Sequence, residues 1–581
     1  MDLTLTPELL APTVPDAVPD NRGANLFDAD PRYRDLLALY LEPGLHAHLL
    51  PHLMRLGVLA GDALDRLAST ADKNPPVLHY RDRRGFDREW LEKHPAYVEM
   101  ERLAYSEFGL AAMSHRAGVL AWPEPLPAIA KFALTYVFVQ AEFGLCCPLS
   151  MTDSLTRTLR KFGTPELVAR YLPGLTSTDM DQLTQGSMFI TEQGAGSDVG
   201  AVTTIARAQG EAWQLTGDKW FCSNADAGLA LVLARPEGGA PGTRGLGLFL
   251  LPRVLPDGSA NRYRIIRLKD KLGSRDMASG EIRMEGATAY LVGELGRGFA
   301  QMTDMINSSR LSNGVRAAGM MRRALSDALH LTRNRQAFGR RLIDLPLMRR
   351  QLLKLMLPAE QARSVFMLTA VELDKADRGD EHARRRVRIL TPLIKFRACR
   401  DARRVTGDAM EVRGGCGYIE EWSDPRLVRD AHLGSIWEGT SNIVALDVMR
   451  AIRREQSLAA LHADLEARLQ RAGPLRERLR AALERSVALA DNAAAQKNDA
   501  LARQAASALY RVTAAVVMAE EAGCLAHDAR RALLASLVLE HHLESRDPLA
   551  QADTVREAEI ALALLDEQPL APAAVHRLIK R

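Results

Sequence analysis

The spacing of apolar residues changes twice along this chain of 581 residues, and that change most constrains its fold. In residues 31–180 the apolar residues recur at helical spacing, for example in 33–41 and 128–139. Residues 181–290 instead carry short β-branched and aromatic runs separated by Gly, Pro and Asp, which is typical of a small antiparallel β-domain. Amphipathic helices return from Gly298 onward. The pattern predicts an α+β fold that is mostly α, with the strands between two helical parts.

The predicted domain boundaries follow the same changes. The first 30 residues contain prolines and acids without an apolar core, which indicates a flexible or surface-draped leader. An N-terminal helical domain (31–180), a β-domain (181–290), a helical bundle (291–455) and a further C-terminal helical segment (456–581) come next. Pro346 is well placed near the start of a bundle helix. Six strands are predicted in the β-domain, over 187–191, 202–208, 212–216, 229–235, 245–251 and 280–290.

Composition is that of a large soluble enzyme. Hydrophobic residues make up 47% of the chain and charged residues 25%, as in ordinary globular proteins. A net charge of +4 is too small to indicate nucleic-acid binding by itself. No apolar run reaches transmembrane length without charges, and the N-terminus lacks the features of a secretory or transit peptide. The six cysteines have no metal-ligand spacing, so we expect a cytoplasmic protein without a metal site, with Cys146 and Cys147 packed in the core.

The stretch Ser435-Ile-Trp-Glu-Gly-Thr-Ser-Asn442 is a candidate catalytic turn. It places the Glu438 carboxylate between an aromatic residue and a Gly-Thr turn, and a carboxylate beside an aromatic wall can be partly dehydrated and so become a better base. A helix is predicted from Ile443, which Thr440 or Ser441 could cap, and its first N–H groups suit an anion such as a pyrophosphate. The alternative interpretation is an ordinary exposed glutamate before a helix.

Further glycine-rich and aromatic segments suit a flat, phosphorylated ligand. In Met188-Phe-Ile-Thr-Glu-Gln-Gly-Ala-Gly-Ser-Asp-Val199 the glycines allow close approach of backbone amides, and two hydroxyl residues lie at the rim. Gly217-Asp-Lys-Trp-Phe-Cys-Ser-Asn224 offers an indole face at a strand end. Arg335-Gln-Ala-Phe-Gly339 and Gly414-Gly-Cys-Gly-Tyr418 supply a guanidinium and another close approach. Taken singly, each segment could be an ordinary polar turn.

In this order and spacing, the segments resemble the acyl-CoA dehydrogenase family of flavoproteins, from about Ala141 to Arg453. A closer resemblance, covering nearly the whole chain after residue 24, is to the AidB branch of alkylation-response flavoproteins. It rests on Asn74-Pro-Pro76, His94-Pro-Ala96, residues 252–259, 268–273 and 435–446, and an added C-terminal segment. The resemblance implies an N-terminal helical domain, a middle antiparallel β-domain, a C-terminal four-helix bundle and an extra C-terminal helical domain.

The family resemblance also implies an activity and a cofactor. It implies FAD-dependent α,β-dehydrogenation of an acyl-CoA thioester, in which Glu438 removes the α-proton and FAD takes the β-hydrogen as hydride. Arg310 matches a position that helps to hold the substrate region, although a buried or surface ion pair explains it equally well. The matched cofactor-binding residues are Met188, Thr191, Gly196, Ser197, Trp220, Phe221, Cys222, Ser223, Arg335, Phe338, Gly414, Gly415, Ile436, Trp437, Thr440 and Asn442.

The expected partners follow from the same resemblance. Arg335 matches a position that touches the FAD pyrophosphate of an adjacent subunit, which implies a homotetramer built as a dimer of dimers. An electron-transfer flavoprotein or another acceptor would reoxidise the flavin. The sequence does not determine the acyl chain or the physiological acceptor.

A rival hypothesis comes from the AidB branch, whose members bind double-stranded DNA through a basic C-terminal region with little dehydrogenase turnover. The tail has arginines near its start, but acidic residues interleave and the segment is near neutral. Residues 384–404 hold a denser basic run, which a solvated helix face or a subunit interface would also explain. A flavin-holding structural protein without turnover is a third hypothesis. The tail arginines are Arg471, Arg476, Arg478, Arg480 and Arg485.

Overall fold

The computed structural model describes residues 18–579. Its N-terminal part is helical, as predicted, and α5 is buried along its whole length because nearly all its side chains are apolar. A short antiparallel hairpin between the third and fourth helices was not predicted; its Leu78 and Leu91 pack against the β-domain. The elements are α1 (Pro31–Tyr40), α2 (Pro43–Gly61), α3 (Ala63–Lys73), β1 (Val77–Arg81), β2 (Asp87–Glu92), α4 (Pro95–Glu101), α5 (Ala128–Phe138), α6 (Cys146–Phe162) and α7 (Pro165–Leu175).

Residues 18–30 correct the prediction of a flexible or surface-draped leader over 1–30. Leu26 and Phe27 are each 1% exposed in the core. Asp30 is equally buried and accepts hydrogen bonds from Nη1 of Arg363 at 2.6 and 2.7 Å. A buried carboxylate with a guanidinium partner fastens this segment to the bundle. Residues 1–17 of the predicted leader lie outside the described part.

A seven-stranded sheet forms the middle domain and closes on itself, because β6 pairs with both β4 and β7. Most pairs are antiparallel, as predicted, but β6 runs parallel to β3 and to β4. The first six residues of β6 are all buried, as expected for a strand covered on both faces. Tyr263–Leu268 is a strand that the sequence did not predict. The strands are β3 (Gly186–Phe189), β4 (Ile205–Gln209), β5 (Ala212–Ser223), β6 (Leu229–Pro236), β7 (Gly247–Pro252), β8 (Tyr263–Leu268) and β9 (Ser279–Leu291).

Long helices follow and form the C-terminal bundle. Three long helices, α8 (Gly298–Asn334), α9 (Pro346–Asp377) and α10 (Glu381–Arg413), pack on one another. The later helix α12 (Ser441–Glu455) packs against α10. Helix α9 begins at Pro346, as predicted, where the missing N–H costs nothing. The elements are α8 (Gly298–Asn334), β10 (Gln336–Ala337), β11 (Arg340–Arg341), α9 (Pro346–Asp377), α10 (Glu381–Arg413), α11 (Ser423–Gly434) and α12 (Ser441–Glu455).

The additional C-terminal segment is helical and is built onto the bundle. α15 packs against α9, α10 and α12. Buried ion pairs cross this boundary, including Arg531 Nη1 to Glu360 at 2.7 Å and Arg322 Nη1 to Glu567 at 2.8 Å. In residues 18–579 no helix is both long and apolar enough to cross a membrane. The helices are α13 (Ser457–Arg468), α14 (Arg476–Ala495), α15 (Ala502–Cys524), α16 (Arg530–Val538), α17 (Thr554–Leu565) and α18 (Pro572–Ile579).

Candidate active site

Glu438 lies in a tight turn between α11 and α12. Its φ is +53°, a backbone conformation that residues other than glycine rarely adopt, and Gly439 follows with φ +103°. A Cβ atom at Gly439 would lie 3.2 Å from Ile443 and 3.4 Å from a nitrogen of Arg310. The glycine is therefore required here both for its φ and for close packing. The turn sets the direction in which the Glu438 side chain leaves the backbone.

Two side chains of α8 hold the Glu438 carboxylate. Ser309 donates its hydroxyl to Oε1, and Asn313 donates its amide nitrogen to Oε2. Ser150, on α6, in turn donates to the Ser309 hydroxyl at 3.2 Å. Both contacts use the carboxylate as an acceptor, which is the only role open to an ionised carboxyl group. The acid is thereby oriented by residues about 130 positions earlier in the chain.

Backbone contacts fasten the turn itself. Arg310 donates Nε to the Glu438 carbonyl at 3.0 Å and pairs through Nη1 with Asp447 at 2.8 Å. Lys395 donates its ammonium to the Gly439 carbonyl. Burial lowers the pKa of Lys395 to about 8. Arg310, the residue predicted to hold the substrate region, thus contacts the turn that carries Glu438 and a buried carboxylate.

Trp437 forms one wall beside the carboxylate, as the sequence predicted. Its Nε1 donates to Oδ1 of Asn313 at 2.7 Å, so the asparagine joins the indole to Glu438. The Phe143 ring stacks on Trp437 with 5.5 Å between centroids and 23° between planes. The guanidinium of Arg316 lies 4.9 Å from the Trp437 centroid and 5.4 Å from that of Phe143. Aromatic side chains and a buried cation therefore surround the base.

The segments predicted to bind the cofactor meet at the ends of β3 and β5. The Trp220 amide donates to the Thr191 carbonyl at 2.8 Å, and the Ser187 hydroxyl donates to the Ser223 carbonyl at 2.6 Å. The ammonium of Lys269 lies 3.3 Å from the centroid of the Trp220 ring. Met188 lies in β3, and Cys222 is fully buried, as expected for a packed residue and not for a nucleophile.

Glu192 orders the glycine turn, as the sequence indicated. Its carboxylate accepts from the amides of Thr203 at 2.7 Å and Thr204 at 3.0 Å, and from Lys219 Nζ at 2.8 Å. Burial opposes its ionisation, but Lys219 and the hydrogen bonds outweigh that effect and lower the pKa of Glu192 to about 2. A carboxyl group this acidic holds the loop and does not carry protons near neutral pH.

The residues present fit a flavin adenine dinucleotide. Cβ atoms at Gly194 and Gly196 would meet nothing within 4 Å, so the turn presents open backbone beside Ser197. Phe221 and Ile436 are each 57% exposed, which leaves apolar faces for a ring system. The cap residue Thr440 makes no side-chain hydrogen bond. The first N–H groups of α12, where Asn442 lies, are thus suited to a phosphate.

Cys147, at the start of α6, is buried in the core. Burial raises the pKa of Cys147 to about 11, so the thiol is a neutral packing group at physiological pH. Cys146 beside it is also buried, and both are free thiols.

Four predicted residues lie apart from this cluster. Arg335 and Phe338 belong to the β10–β11 hairpin, where Phe338 is 90% exposed. Gly414 and Gly415 lie in the turn that follows α10. Within residues 18–579 none of the hydrogen bonds or ion pairs joins these four side chains or backbones to Glu438. Their part in binding the flavin stays a prediction, as does the contact of Arg335 with the flavin of an adjacent subunit.

Sequence reasoning missed the α8 residues that hold the base. Ser309, Asn313 and Arg316 are spaced by four and three, so they share one helix face. The sequence did contain a signal, because these polar side chains recur at helical spacing along one helix. Nothing local linked that stripe to Glu438, because the contact exists only after α8 and the catalytic turn come together.

The basic residues considered for DNA binding are largely paired within the chain. Arg478 makes two hydrogen bonds of 2.9 Å to Glu544, and Arg480 lies 3.1 Å from Glu477 and 3.4 Å from Glu466. Such pairing offsets the positive charge that phosphates would need. In α10 the pairs are Arg384 and Arg385 with Glu381, Arg386 with Glu372, Arg388 with Asp447 and Glu455, and Arg397 with Asp401.

Three family models match successive parts of the chain. The acyl-CoA dehydrogenase C-terminal domain matches residues 296–453, and the acyl-CoA dehydrogenase middle domain matches residues 187–287. The N-terminal domain of the adaptive response protein AidB matches residues 16–182. The matched regions therefore contain both the catalytic turn and the glycine turn.

Known proteins show the same relationship. AidB of Escherichia coli (strain K12) is 35% identical over 413 residues, which is 69% of this chain and 73% of AidB. Caenorhabditis elegans ACDH-11, solved in complex with C11-CoA, superposes with a TM-score of 0.82 at 26% identity and covers 97% of this chain and 94% of its own. Butyryl-CoA dehydrogenase from Megasphaera elsdenii, at 21% identity, shares the fold over 68% of this chain and 97% of its own with a TM-score of 0.55. The chain belongs to the acyl-CoA dehydrogenase family and carries an AidB-type N-terminal domain.

Proposed function

We propose that this protein is an FAD-dependent acyl-CoA dehydrogenase that oxidises the α,β bond of an acyl-CoA thioester. The observation that carries the proposal is the oriented carboxylate of Glu438, which Ser309 and Asn313 hold against the Trp437 wall. A base for a weakly acidic C–H must be placed in one direction and shielded from water. The hydrogen bonds to Glu438 supply the first condition, and the Trp437 ring supplies an apolar wall on one side.

The proposed roles of the residues follow from these contacts. Glu438 accepts the proton from the α-carbon, and Arg310 with Lys395 keeps its turn in place. Bound FAD would supply the redox chemistry by accepting the β-hydrogen as hydride. Thr191, Gly196, Ser197 and Trp220 would hold it near the ends of β3 and β5. Trp437, with Phe143 stacked on it, would form an apolar wall beside the base.

The relatives support an acyl-CoA ligand. ACDH-11 was solved with C11-CoA, and its similarity extends over 97% of this chain. Members of the matched family are flavoproteins, which agrees with the open glycine turn and the exposed apolar faces beside it. We also propose that the protein forms a homotetramer and that an electron-transfer flavoprotein or another acceptor reoxidises it.

Anaerobic flavin bleaching tests the proposal. The purified protein should be yellow and should release FAD and not FMN. Under anaerobic conditions, a panel of acyl-CoAs of different length and polarity should bleach the flavin absorbance with at least one member. Free CoA serves as the control. Protein that binds FAD but is bleached by none of the thioesters would contradict the dehydrogenase activity, and protein that takes up no FAD would contradict the cofactor.

A further inference from the structure

Arg316 differs from the other large buried arginines. It is 0% exposed, yet within residues 18–579 its only hydrogen bond is from Nε to the Ser312 carbonyl at 3.3 Å. Neither Nη1 nor Nη2 has a partner, and no carboxylate in residues 18–579 lies within ion-pair distance. Three other arginines equally buried each have a carboxylate: Arg322 with Glu567 at 2.8 Å, Arg363 with Asp30 at 2.6 Å and Arg530 with Glu360 at 3.8 Å.

An unpaired guanidinium in the interior is unfavourable for the fold. Removal of its charge from water is not offset by an anion, and two donor groups lose their hydrogen bonds. An arginine also cannot become neutral at physiological pH to relieve that cost. Where an unpaired group of this kind occurs, the requirements of binding and not those of stability determine which residue occupies the position. The free edge of a guanidinium is a planar fork that matches a carboxylate.

The position of Arg316 places this fork beside the base. It lies on the α8 face that also carries Ser309 and Asn313, one helical turn beyond Asn313, or about 5 Å along the helix. Its guanidinium contacts the face of Trp437 at 4.9 Å, and this indole is hydrogen-bonded to Asn313. The charge also acts on the thiols of Cys147 and Cys399, where it partly offsets the rise in pKa that burial causes. Arg316 is therefore buried against the Trp437 ring, which Asn313 links to Glu438.

We propose that Arg316 is a specificity-determining residue that binds a carboxylate at the far end of a short acyl chain. The favoured substrates would then be CoA thioesters of short dicarboxylic acids. The thioester end would lie at Glu438 and the free carboxylate would pair with the guanidinium fork. This inference rests on the proposed function, since it uses the same pocket, but it commits to a substrate class that the family assignment leaves open.

The test compares two thioesters of equal carbon number. Glutaryl-CoA carries a terminal carboxylate, and pentanoyl-CoA carries a methyl group in its place. Calorimetric titration of the FAD-loaded protein should show glutaryl-CoA binding more tightly by at least about 10-fold. Arg316→Met keeps the length of the side chain without its charge and should abolish the preference. Arg316→Lys keeps the charge without the fork and should retain part of it.

Stability provides a second measurement. Because the charge is unpaired in the free protein, Arg316→Met should not lower the midpoint of urea unfolding, whereas the paired Arg363→Met should lower it. Equal or tighter binding of pentanoyl-CoA by the wild type would overturn the inference and leave the acyl-CoA proposal intact. A preference that persists in Arg316→Met would also overturn it. If neither thioester nor any other acyl-CoA binds, both the proposed function and this inference fail.

Discussion

At the scale of single residues, the site is organised around one carboxylate and the groups that orient it. Glu438 has its side chain held from α8 and its backbone held by Arg310. The positive φ at Glu438 requires this support, because an unfavoured backbone conformation persists only where the surroundings impose it. The division between base and supporting groups can be tested with variants that remove one function at a time.

The first prediction concerns the base. Glu438→Gln keeps the size of the side chain but removes its basicity, so FAD should still bind while bleaching by an active acyl-CoA slows about 100- to 10,000-fold. Ser309→Ala removes a donor and leaves the base, so its effect should be smaller. Stopped-flow absorbance under anaerobic conditions measures both rates. A Glu438→Gln protein that reduces its flavin as fast as the wild type would place the base elsewhere.

The second prediction concerns a buried acid that the mechanism does not use. Asp430, on α11, accepts from the Ser274 amide at 2.6 Å. Burial, with further contributions from Asp72 and Asp276, raises the pKa of Asp430 to about 7. The folded protein therefore keeps a proton that the unfolded chain releases near pH 4. Its stabilising contribution is complete below about pH 4 and is lost as the pH rises to about 7.

Asp430→Asn should mimic the protonated carboxyl group and retain the acceptor for Ser274. At pH 8 the variant should be more stable than the wild type by about 2–4 kcal/mol, and the difference should shrink towards pH 4. Urea unfolding at several pH values measures it. A residual slope is expected from Asp276 and Glu142, whose pKa values burial also raises. A variant that loses stability equally at every pH would show that Asp430 is ionised in the fold.

At the scale of elements, α8 and α9 connect parts of the chain that are far apart in sequence. α8 carries the groups that orient Glu438, and its Arg322 pairs with Glu567 beyond α17. α9 provides Arg363, which binds Asp30 in the N-terminal segment. Buried ion pairs of this kind lose much stability when one partner is removed, since the other charge is left unpaired. The N-terminal segment should therefore behave as part of the bundle.

The third prediction tests that attachment. Asp30→Asn should destabilise the protein by about 3–5 kcal/mol, because Arg363 keeps Glu360 but loses one of its two carboxylates, and the buried Arg322 loses the Asp30 charge as well. Asp28→Asn is the matched control: its partner Arg34 lies 2.8 Å away and both side chains are nearly half exposed. The control should cost only about 0–1 kcal/mol. Urea denaturation compares them, and equal midpoints for the two variants would contradict the structural role of Asp30.

At the scale of the whole molecule, the hairpin that follows α8 bears on assembly. The hairpin that carries Arg335 and Phe338 projects an almost fully exposed aromatic ring, and it has no described link to Glu438 in the same chain. The family resemblance implies that Arg335 of this hairpin contacts the flavin pyrophosphate of an adjacent subunit.

The fourth prediction tests this assignment. Arg335→Glu should weaken FAD retention at least about 10-fold through repulsion of the pyrophosphate, whereas Arg340→Glu on the same hairpin should not. Fluorimetric titration of released FAD measures retention, and light scattering measures the oligomeric state. Unchanged FAD affinity in Arg335→Glu, or a monomeric wild-type protein, would contradict the shared site.

The fifth prediction concerns DNA. Because Arg478 and Arg480 are paired with acids, the wild type should bind duplex DNA weakly at moderate salt. The Arg478→Glu/Arg480→Glu variant should retain FAD. Titration of a labelled duplex at low and moderate salt distinguishes the hypotheses. Tight binding at moderate salt that disappears in the double variant would favour a DNA-binding protein over a dehydrogenase.

The sequence by itself determined the order of the helical, strand-rich and helical parts, the family and the segment that contains Glu438. These features are carried by contiguous residues, whose spacing and motifs can be read without knowledge of the fold. It failed for the N-terminal segment, where Asp30 looked like part of a leader although its partner lies 333 residues away. It also missed β8 and the parallel pairing of β6, since pairing depends on which strands meet.

Only the tertiary structure decided which groups hold the base and which charge lies unpaired beside it. Ser309 contacts Glu438 across 129 residues, and Trp437 reaches Asn313 across 124. No local pattern links such pairs, because packing of α8 against the catalytic turn creates them. Arg316 is informative for the same reason. The sequence around it looks like that of any buried helix, and only the packed side chains show that its Nη1 and Nη2 have no partner among the described residues.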